Sequence, residues 1–315
     1  MRKVQLSNTG LEVTELCFGT LTMGRLQARL SPAEGAMAIR RALELGINFF
    51  DTAKTYGSYP HLREALDGWN SEVIIATKSK AATYDDMEKD VHAALEELNI
   101  KRIGVFHLHQ VRSKEDLSQR QGALECLLDY KKKGIIQSIG ISAHAPNGVK
   151  AILDCDEIEV IMPIINKDGF GIVDGNLAEM VDAVKAAAAK GKSLYAMKPL
   201  GGGHLIKQIP QAINYIRDLG VFDAISVGMK TPDEVEMTAR IFEGQSIPQR
   251  LLDKIKTAVK RLIIYDSCKA CGTCEETCDQ GAIKVEGKKA KVDQEKCILC
   301  GYCAASCPVF CIRVA

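Results

Sequence analysis

The cysteines near the C-terminal end constrain this chain more than any other feature. Nine of its 12 cysteines lie after residue 267. Eight of them form two runs with the same spacing, Cys-x2-Cys-x2-Cys-x3-Cys, which begin at Cys268 and Cys297. Pro308 follows the second run, and Asp279 follows the first. Three thiolates spaced two residues apart can wrap one corner of an iron–sulfur cube, while the fourth cysteine lies too far along to close the same cube comfortably.

The spacing therefore predicts two 4Fe-4S clusters with crossed ligation, because in two-cluster ferredoxins the fourth cysteine of each run ligates the other cluster. The predicted sets are Cys268, Cys271, Cys274 and Cys307 for one cluster, and Cys297, Cys300, Cys303 and Cys278 for the second. Zinc is a weaker alternative, since it takes four ligands and would leave the third cysteine of each run unused. Disulfides need an oxidising compartment, and the N-terminus carries no export signal. Cys311 is a spare thiol.

Composition narrows the class of protein. With 46% apolar and 26% charged residues, the 315-residue chain has the balance of an ordinary soluble globular protein. Its net charge of +1 gives no electrostatic reason to expect nucleic acid or a membrane as a partner. No apolar stretch approaches the length needed to span a bilayer. Because the clusters also favour a reducing compartment, we expect a cytoplasmic protein.

An alternation of strands and helices fills the first three quarters of the chain. It follows a short hairpin over Lys3–Leu6 and Leu11–Thr14, and it runs through eight strand–helix units up to Phe242. The predicted strands are continuous apolar runs, which are typical of buried parallel strands. Eight such units predict an α/β fold, a closed (β/α)8 TIM barrel. An open doubly wound sheet is the competitor, but no GxGxxG motif follows the first strand.

Three segments are predicted from this reading. The barrel occupies residues 1–244. Ile255, Val259, Leu262 and Ile263 recur at helical spacing, so residues 245–265 are interpreted as a connecting helix or linker. Residues 266–315 form a small α+β ferredoxin-like domain with two clusters. Its acidic and basic residues balance, which favours internal use over diffusion to partners.

Four polar side chains follow the predicted strands, at the end where such barrels place catalytic groups. The second strand ends at Asp51, with Tyr56 shortly after it; the third ends at Lys78, and the fourth at His109. A lysine near a phenol lowers its pKa from about 10, and an aspartate can anchor the lysine. Such a tyrosine can protonate a developing alkoxide while hydride arrives from the other side. His107 is interpreted as a structural residue that points away from His109.

The stretch Asp51-Thr52-Ala53-Lys54-Thr55-Tyr56-Gly57 resembles the DTAxxYG signature of the aldo-keto reductases. Similar segments over residues 1–245 are Asn8–Leu11, Phe18–Thr20, Gly134–Ser142 and Lys198–Leu200. The whole chain resembles the bacterial and archaeal members that carry an appended two-cluster ferredoxin domain. The resemblance implies a barrel that binds NADPH or NADH across its mouth and reduces a small-molecule carbonyl. It makes Tyr56 the general acid, tuned by Lys78, which Asp51 anchors, and it lets His109 orient the carbonyl.

The resemblance also implies nucleotide contacts. The expected contacts are Gly19, Thr20 and Ser142 at the nicotinamide, Lys198, Pro199, Leu200 and Gly228 along the pyrophosphate, and Lys230 at the adenosine ribose or its 2′-phosphate. Some positions depart from the family pattern: Ala143 stands where an asparagine is usual, and Met162 or Pro163 where a glutamine is common. Glu234 would repel a 2′-phosphate that Lys230 would attract, so the choice between NADPH and NADH stays open.

Three hypotheses about function remain. The first is an NAD(P)H-dependent carbonyl reductase in which the clusters are structural or an accessory electron path. The second is an electron-transfer protein that passes single electrons between a partner, such as a ferredoxin or flavoprotein, and a substrate or flavin in the barrel. The third is a non-catalytic redox sensor. Nicotinamide delivers two electrons as hydride whereas a cluster takes one, and no flavin motif is present to convert between them. The intact Asp–Tyr–Lys–His set favours the first hypothesis.

Overall fold

The computed structural model describes residues 1–257, 261–309 and 311–314, and it begins with an antiparallel hairpin of β1 (Lys3–Leu6) and β2 (Leu11–Thr14). Eight parallel strands then follow in sequence order and close into a barrel, in which the last strand pairs with the first. They are β3 (Leu16–Gly19), β4 (Phe49–Asp51), β5 (Ile74–Ser79), β6 (Ile103–Leu108), β7 (Ile136–Ala143), β8 (Val160–Pro163), β9 (Ser193–Ala196) and β10 (Ala224–Gly228). The predicted (β/α)8 barrel is confirmed.

Helices follow the barrel strands. They are α1 (Pro32–Glu44), α2 (Tyr59–Leu66), α3 (Tyr84–Leu98), α4 (Lys114–Ser118), α5 (Gln121–Lys132), α6 (Pro146–Lys150), α7 (Leu177–Ala189), α8 (Ile209–Asp218) and α9 (Pro232–Phe242). The sequence encodes several of their starts: Ser31 and Glu34 form a capping box at α1, and Thr231 caps α9 just before Pro232. Within the described residues, no helix has the length and apolar character needed to cross a membrane.

The barrel strands are buried on both faces, as expected for a parallel sheet covered by helices. Their interior holds polar as well as apolar groups. Phe49 packs edge-on against Tyr195 with ring centroids 5.1 Å apart, and Lys78 and His107 are fully buried. Buried polar groups of this kind need partners, and those partners define the site described below.

The segment interpreted as one connecting helix contains two elements. Helix α10 spans Gln249–Thr257, but strand β11 spans Leu262–Ile264 and pairs antiparallel with β14 (Ile312–Val314) near the C-terminus. The helical interpretation was therefore wrong at Leu262 and Ile263, whose apolar, partly β-branched run suits a sheet. Val259 lies outside the described residues. Because β11 pairs within the cysteine-rich unit, we propose that this unit starts at Leu262 rather than at residue 266.

The cysteine-rich unit is a small α+β fold. A hairpin of β12 (Ile283–Glu286) and β13 (Lys289–Val292) lies between two short helices, α11 (Thr273–Glu276) and α12 (Tyr302–Ser306). A glycine in the left-handed region precedes each helix: Gly272 has φ = 85° and Gly301 has φ = 79°. The unit has its own core, in which buried cysteines pack with aliphatic residues.

This unit docks on the end of the barrel where the strands point. Four loops that follow β3, β6, β8 and β9 contact it, through Gln27, Arg112, Gly171 and His204 respectively. Gln27 Nε2 donates to the Leu299 carbonyl at 2.8 Å, and His204 Nε2 lies 2.7 Å from the Cys297 carbonyl oxygen. The cysteine-rich unit therefore sits on the barrel face where such barrels place their active sites.

Candidate active site

A buried ion pair lies at the bottom of the barrel mouth. Lys78, on β5, places Nζ 2.6 Å from Asp51 Oδ1 and 2.7 Å from Oδ2 at the end of β4, and it also donates to the Thr52 carbonyl at 2.8 Å. The lysine is fully buried and Asp51 is 3% exposed. Burial raises the pKa of Asp51, and the Lys78 ammonium opposes that shift. The predicted anchoring of Lys78 by Asp51 is present in this geometry.

Tyr56 lies beside this pair on a single turn of 3-10 helix, Lys54–Tyr56, which follows β4 and ends at Gly57 with φ = 66°. Lys78 Nζ is 5.3 Å from the centroid of its ring. Burial, followed by the nearby Tyr302, Asp51 and Cys300, raises the pKa of Tyr56 well above its usual value near 10.

The expectation that Lys78 lowers the pKa of this phenol is therefore wrong for the structure. Its ammonium makes three contacts with Asp51 and the Thr52 carbonyl, so its charge is largely compensated by the Asp51 carboxylate. Burial then dominates the phenol. The hydroxyl stays protonated, which is the form that can donate a proton.

His109 follows β6 and turns the edge of its ring toward Tyr56, with ring centroids 6.0 Å apart at 79°. Burial, and then the charges of Lys78 and Lys80, hold its pKa well below the usual value. The imidazole is therefore neutral. Its Nδ1 is buried and has no hydrogen-bond partner among the described residues, and an unpaired buried polar atom of this kind is available to a ligand.

Tyr195, which sequence reasoning missed, and His107 complete the hydrogen-bond network around Asp51. Tyr195, on β9, donates to Asp51 Oδ1 at 3.0 Å, and its hydroxyl lies 2.7 Å from His107 Nε2. The interpretation that His107 points away from the site was wrong, because residues two apart on a strand face the same side. A tyrosine in the short buried run of β9 was the available sequence signal.

Arg120 fixes the ends of the two strands that carry these groups. It is 5% exposed, and its guanidinium donates to the carbonyls of His109 and Ser79, each at 3.0 Å, and to that of Ala81 at 3.3 Å. These bonds hold the residues after β5 and β6 in a fixed relation. Sequence reasoning missed Arg120, which lies between α4 and α5.

A cavity of about 380 Å³ opens beside Tyr56 and Asp51 and extends to α9 and α10. Five of the predicted nucleotide contacts are in its wall: Gly19, Lys198, Pro199, Leu200 and Gly228. Gly19 and Gly228 are directly paired on β3 and β10. A side chain at Gly228 would bring its Cβ within 2.6 Å of Thr22 Cγ2, so the glycines let backbone form this surface. The two glycines therefore allow a ligand to approach the backbone closely at this part of the wall.

Three predicted nucleotide contacts are not in the cavity wall. The Thr20 hydroxyl donates to the Asp51 carbonyl at 3.0 Å, and Ser142 Oγ accepts the Gln110 N–H at 2.9 Å. Both serve the barrel frame. Lys230 contributes its backbone N–H to Glu234 Oε2 at 2.7 Å, while Glu234 itself lines the far end of the cavity together with Thr231 and Asp233. Two acidic residues, rather than Lys230, therefore line this end, and one of them, Asp233, is paired with Arg250 at 3.1 Å.

The structure brings together both predicted sets of cysteines. Cys268, Cys271, Cys274 and Cys307 surround one small cavity, which Cys311 also lines. In the other set, burial raises the pKa of Cys303, and the charges of Cys300, Cys297 and Cys278, together with that of Cys274 from the first set, act in the same direction. Four soft sulfur donors in each group fit an iron–sulfur cluster. Within the part of the chain that the structure describes, no three His, Cys, Asp or Glu side chains form a site for a single metal ion.

The cysteine-rich unit also forms part of the cavity beside Tyr56. Ile298 and Cys300 are in its wall, and Tyr302 packs on the cluster of Leu26, Ala53 and Tyr56. The sequence gave no local signal for this contact, because it depends on how two separately folded units dock.

Comparison with known proteins decides the family. Residues 15–250 match the sequence model of the aldo/keto reductase family, and residues 290–313 match that of a 4Fe-4S binding domain. The chain belongs to the aldo/keto reductase family. It is an oxidoreductase with a C-terminal 4Fe-4S ferredoxin-type domain, as the sequence predicted.

Curated relatives of this aldo/keto reductase are distant. It is 25% identical over 225 residues to L-galactose dehydrogenase of Arabidopsis thaliana. The aligned region covers 67% of this chain and 70% of that relative. It is 23% identical over 308 residues to the uncharacterized oxidoreductase YqkF of Bacillus subtilis. That alignment covers 86% of this chain and 95% of the relative. The family is therefore clear, and the substrate is not given by these relatives.

Solved structures confirm the barrel fold. A putative aldo-keto reductase from Pseudomonas aeruginosa superposes with a TM-score of 0.64 at 23% identity, over 76% of this chain and 95% of that one. The aldo-keto reductase from Bacillus halodurans in its holo form gives a TM-score of 0.64 at 22% identity, over 85% and 99%.

Proposed function

We propose that this aldo/keto reductase reduces the carbonyl group of a small molecule to an alcohol with NADH or NADPH. The observation that carries the proposal is the arrangement at the barrel mouth. A protonated Tyr56 and a neutral His109 stand over the buried Lys78–Asp51 pair, at one end of a cavity that extends to α9.

A nicotinamide bound in this cavity supplies hydride. The chain's own residues do the rest. Gly19, Gly228 and the Lys198–Leu200 segment would hold the nucleotide. Tyr56 gives the proton that the developing alkoxide takes up, and the unpaired His109 ring nitrogen holds the carbonyl oxygen. Lys78 and Asp51 form an ion pair beside the phenol. The negative charge of Asp51 is therefore compensated by Lys78 when Tyr56 donates its proton.

We propose NADH as the preferred nucleotide. Glu234 and Asp233 line the end of the cavity near the start of α9, where an adenosine ribose would lie in this family, and Lys230 is not in that wall. A carboxylate disfavours the charge of a 2′-phosphate and accepts hydrogen bonds from a ribose hydroxyl. This placement supports NADH over NADPH.

We also propose two 4Fe-4S clusters, each held by one of the two cysteine sets. A cluster supplies one-electron chemistry when bound. Because 4Fe-4S clusters are favoured in a reducing compartment, we propose the cytoplasm. A ferredoxin or flavoprotein is the kind of partner that would exchange electrons with such a unit.

One observation favours a second candidate function. Cys300, a predicted cluster ligand, lies in the wall of the cavity that Tyr56 also lines. In this alternative, single electrons reach a substrate or flavin in the barrel through the cysteine-rich unit, and Tyr56 only supplies protons. The two candidates differ in whether nicotinamide hydride reaches the substrate.

The test of the first candidate is the variant Tyr56→Phe, assayed as NADH oxidation that depends on an aromatic aldehyde such as 4-nitrobenzaldehyde. We expect turnover to fall by about 10²- to 10⁴-fold, the range for loss of a general acid. Binding of NADH, measured by fluorescence, should be retained. Unchanged turnover in Tyr56→Phe would sink the proposal.

Tyr59→Phe is the matched control. Tyr59 is also buried, at the start of α2, and its hydroxyl lies 2.6 Å from Thr77 Oγ1, away from the cavity wall. The Tyr59→Phe variant makes the same chemical change, loss of a phenolic hydroxyl, at a nearby buried tyrosine. Turnover close to wild type in this variant would assign the loss in Tyr56→Phe to the chemistry rather than to packing.

A further inference from the structure

The two cysteine sets lie in different surroundings. In the first set Cys274 and Cys307 are buried, and Cys271 is exposed to solvent. In the second set Cys297 and Cys303 are buried, and Cys300 lies in the wall of the barrel cavity. The two sets therefore differ in their least buried members: one reaches solvent, and the other reaches the cavity beside Tyr56.

The barrel mouth presents two lysines to the second set. Lys80 follows β5 two residues after Lys78, and its Nζ lies 5.2 Å from the centroid of the Tyr302 ring, which closely follows Cys300 in the chain. Lys198 lines the same cavity as Cys300, and its backbone is in the left-handed region with φ = 55°. Among the described residues, no carboxylate lies within 4.0 Å of the Nζ of either lysine.

The nearby acid does not neutralise this positive charge. Asp279, which follows Cys278, is already paired with Arg112 at 2.6 Å. Arg120 adds a buried guanidinium, which bonds only to carbonyl oxygens in the described structure. Burial lowers the pKa of both Lys80 and Lys198, while the charges of Asp279 and Cys300 oppose the shift in both cases. The lysines therefore gain from negative charge at the position of Cys300.

Among the described residues, the first set has no comparable excess of positive charge. Lys289 is the cation that acts on Cys268, and its Nζ is 2.6 Å from Asp266 Oδ1. The Cys268 sulfur instead accepts the backbone N–H groups of Ala270 and Ala290, at 3.4 and 3.5 Å. The first set therefore receives only the partial positive charges of peptide N–H groups. The second set instead lies near the full positive charges of Lys80 and Lys198.

We propose that Lys80 and Lys198 are the charge partners of the cluster held by Cys278, Cys297, Cys300 and Cys303, and that they keep its reduction potential above that of the other cluster. The proposal rests on the two-cluster assignment made above. Reduction of a cluster adds one electron and one negative charge and changes no bond to the protein. Unpaired cations therefore stabilise the reduced form. An electron taken up by the unit then rests beside the Tyr56 cavity rather than at the exposed end.

The test is an anaerobic potentiometric titration with dithionite, followed by electron paramagnetic resonance, on the reconstituted full chain. Wild type should give two distinct potentials. Lys80→Met should lower the higher of the two reduction potentials. The reduction equilibrium of that cluster should change by at least tenfold, which for one electron is about 59 mV. Lys80→Arg should restore it, because the charge is kept. Cys300→Ser identifies the cluster whose signal belongs to the second set.

Lys185→Met is the control, since Lys185 is an exposed lysine on the outer helix α7. It removes the same charge far from both sets, so both potentials should stay at their wild-type values. If two clusters are present and Lys80→Met moves neither potential, or moves only that of the first set, the inference is wrong while the two-cluster assignment stands. If iron analysis finds less than two cubane clusters per chain, both are overturned.

Discussion

Replacing Asp51 by Asn removes the counter-ion of a lysine that has no contact with water. The Lys78 Nζ is 2.6 Å from Asp51 Oδ1, and Lys78 is 0% exposed. At that distance and an effective dielectric constant of about 20, the attraction is about 6 kcal/mol. Part of it offsets the cost of desolvating both groups. Loss of one partner of a buried pair costs about 3–5 kcal/mol of the free energy of unfolding, because the other charge stays buried and uncompensated.

The assay is guanidinium unfolding followed by the fluorescence of Trp69, the single tryptophan, which lies in the barrel between α2 and β5. Asp51→Asn should be less stable than wild type by about 3–5 kcal/mol. The double variant with Lys78→Met should recover much of that loss, since no buried charge remains. Asp154→Asn breaks an exposed pair with Lys190 and should leave the unfolding transition unchanged. The reasoning is refuted if Asp51→Asn is as stable as this control.

Two further predictions follow from the site. First, kcat/KM for carbonyl reduction should stay flat from about pH 6.5 to about pH 10. The raised pKa keeps Tyr56 protonated as pH rises, and the lowered pKa keeps His109 neutral as pH falls; a pH–rate profile with a titration inside this window would contradict both assignments. Second, Glu234→Gln should improve kcat/KM for NADPH relative to NADH by about fivefold, or about 1 kcal/mol of removed repulsion; an unchanged ratio would show that this carboxylate does not face the adenosine ribose.

Barrel topology explains why the sequence could indicate the candidate catalytic groups. The C-terminal ends of parallel strands meet at one mouth, so Asp51, Lys78 and His109 could be expected to converge from their positions after successive apolar runs. The spacing of the cysteines is also a local signal, so the crossed sets that we propose as cluster ligands could be predicted before the fold was known.

Other features depend on contacts that no local pattern encodes. Strand β11 pairs with β14 across the whole cysteine-rich unit, so helical spacing around Leu262 pointed to the wrong element. The bond from Tyr195 to Asp51 joins residues 144 positions apart. The pKa of Tyr56 follows its burial, which is a property of the docked units.

The nucleotide contacts show the same division. Gly19 and Gly228, which present backbone rather than a side chain, are in the cavity wall, where the family resemblance placed nucleotide contacts. Thr20 and Ser142 both carry a hydroxyl group at the expected strand ends, but these hydroxyls bond to backbone groups of the barrel. Position along a strand predicted where these residues lie, and side-chain orientation at the strand end decided which of them face the cavity.

The central claim is that hydride passes directly from a nicotinamide to a carbonyl carbon beside Tyr56. The most direct test is to reduce 4-nitrobenzaldehyde with NADH that carries deuterium at the reactive C4 position, and to analyse the alcohol by mass spectrometry and NMR. Our account predicts one deuterium on the carbinol carbon of each product molecule. An alcohol without deuterium, formed while NADH is consumed, would contradict it and would show that electrons and protons arrive separately through the cysteine-rich unit.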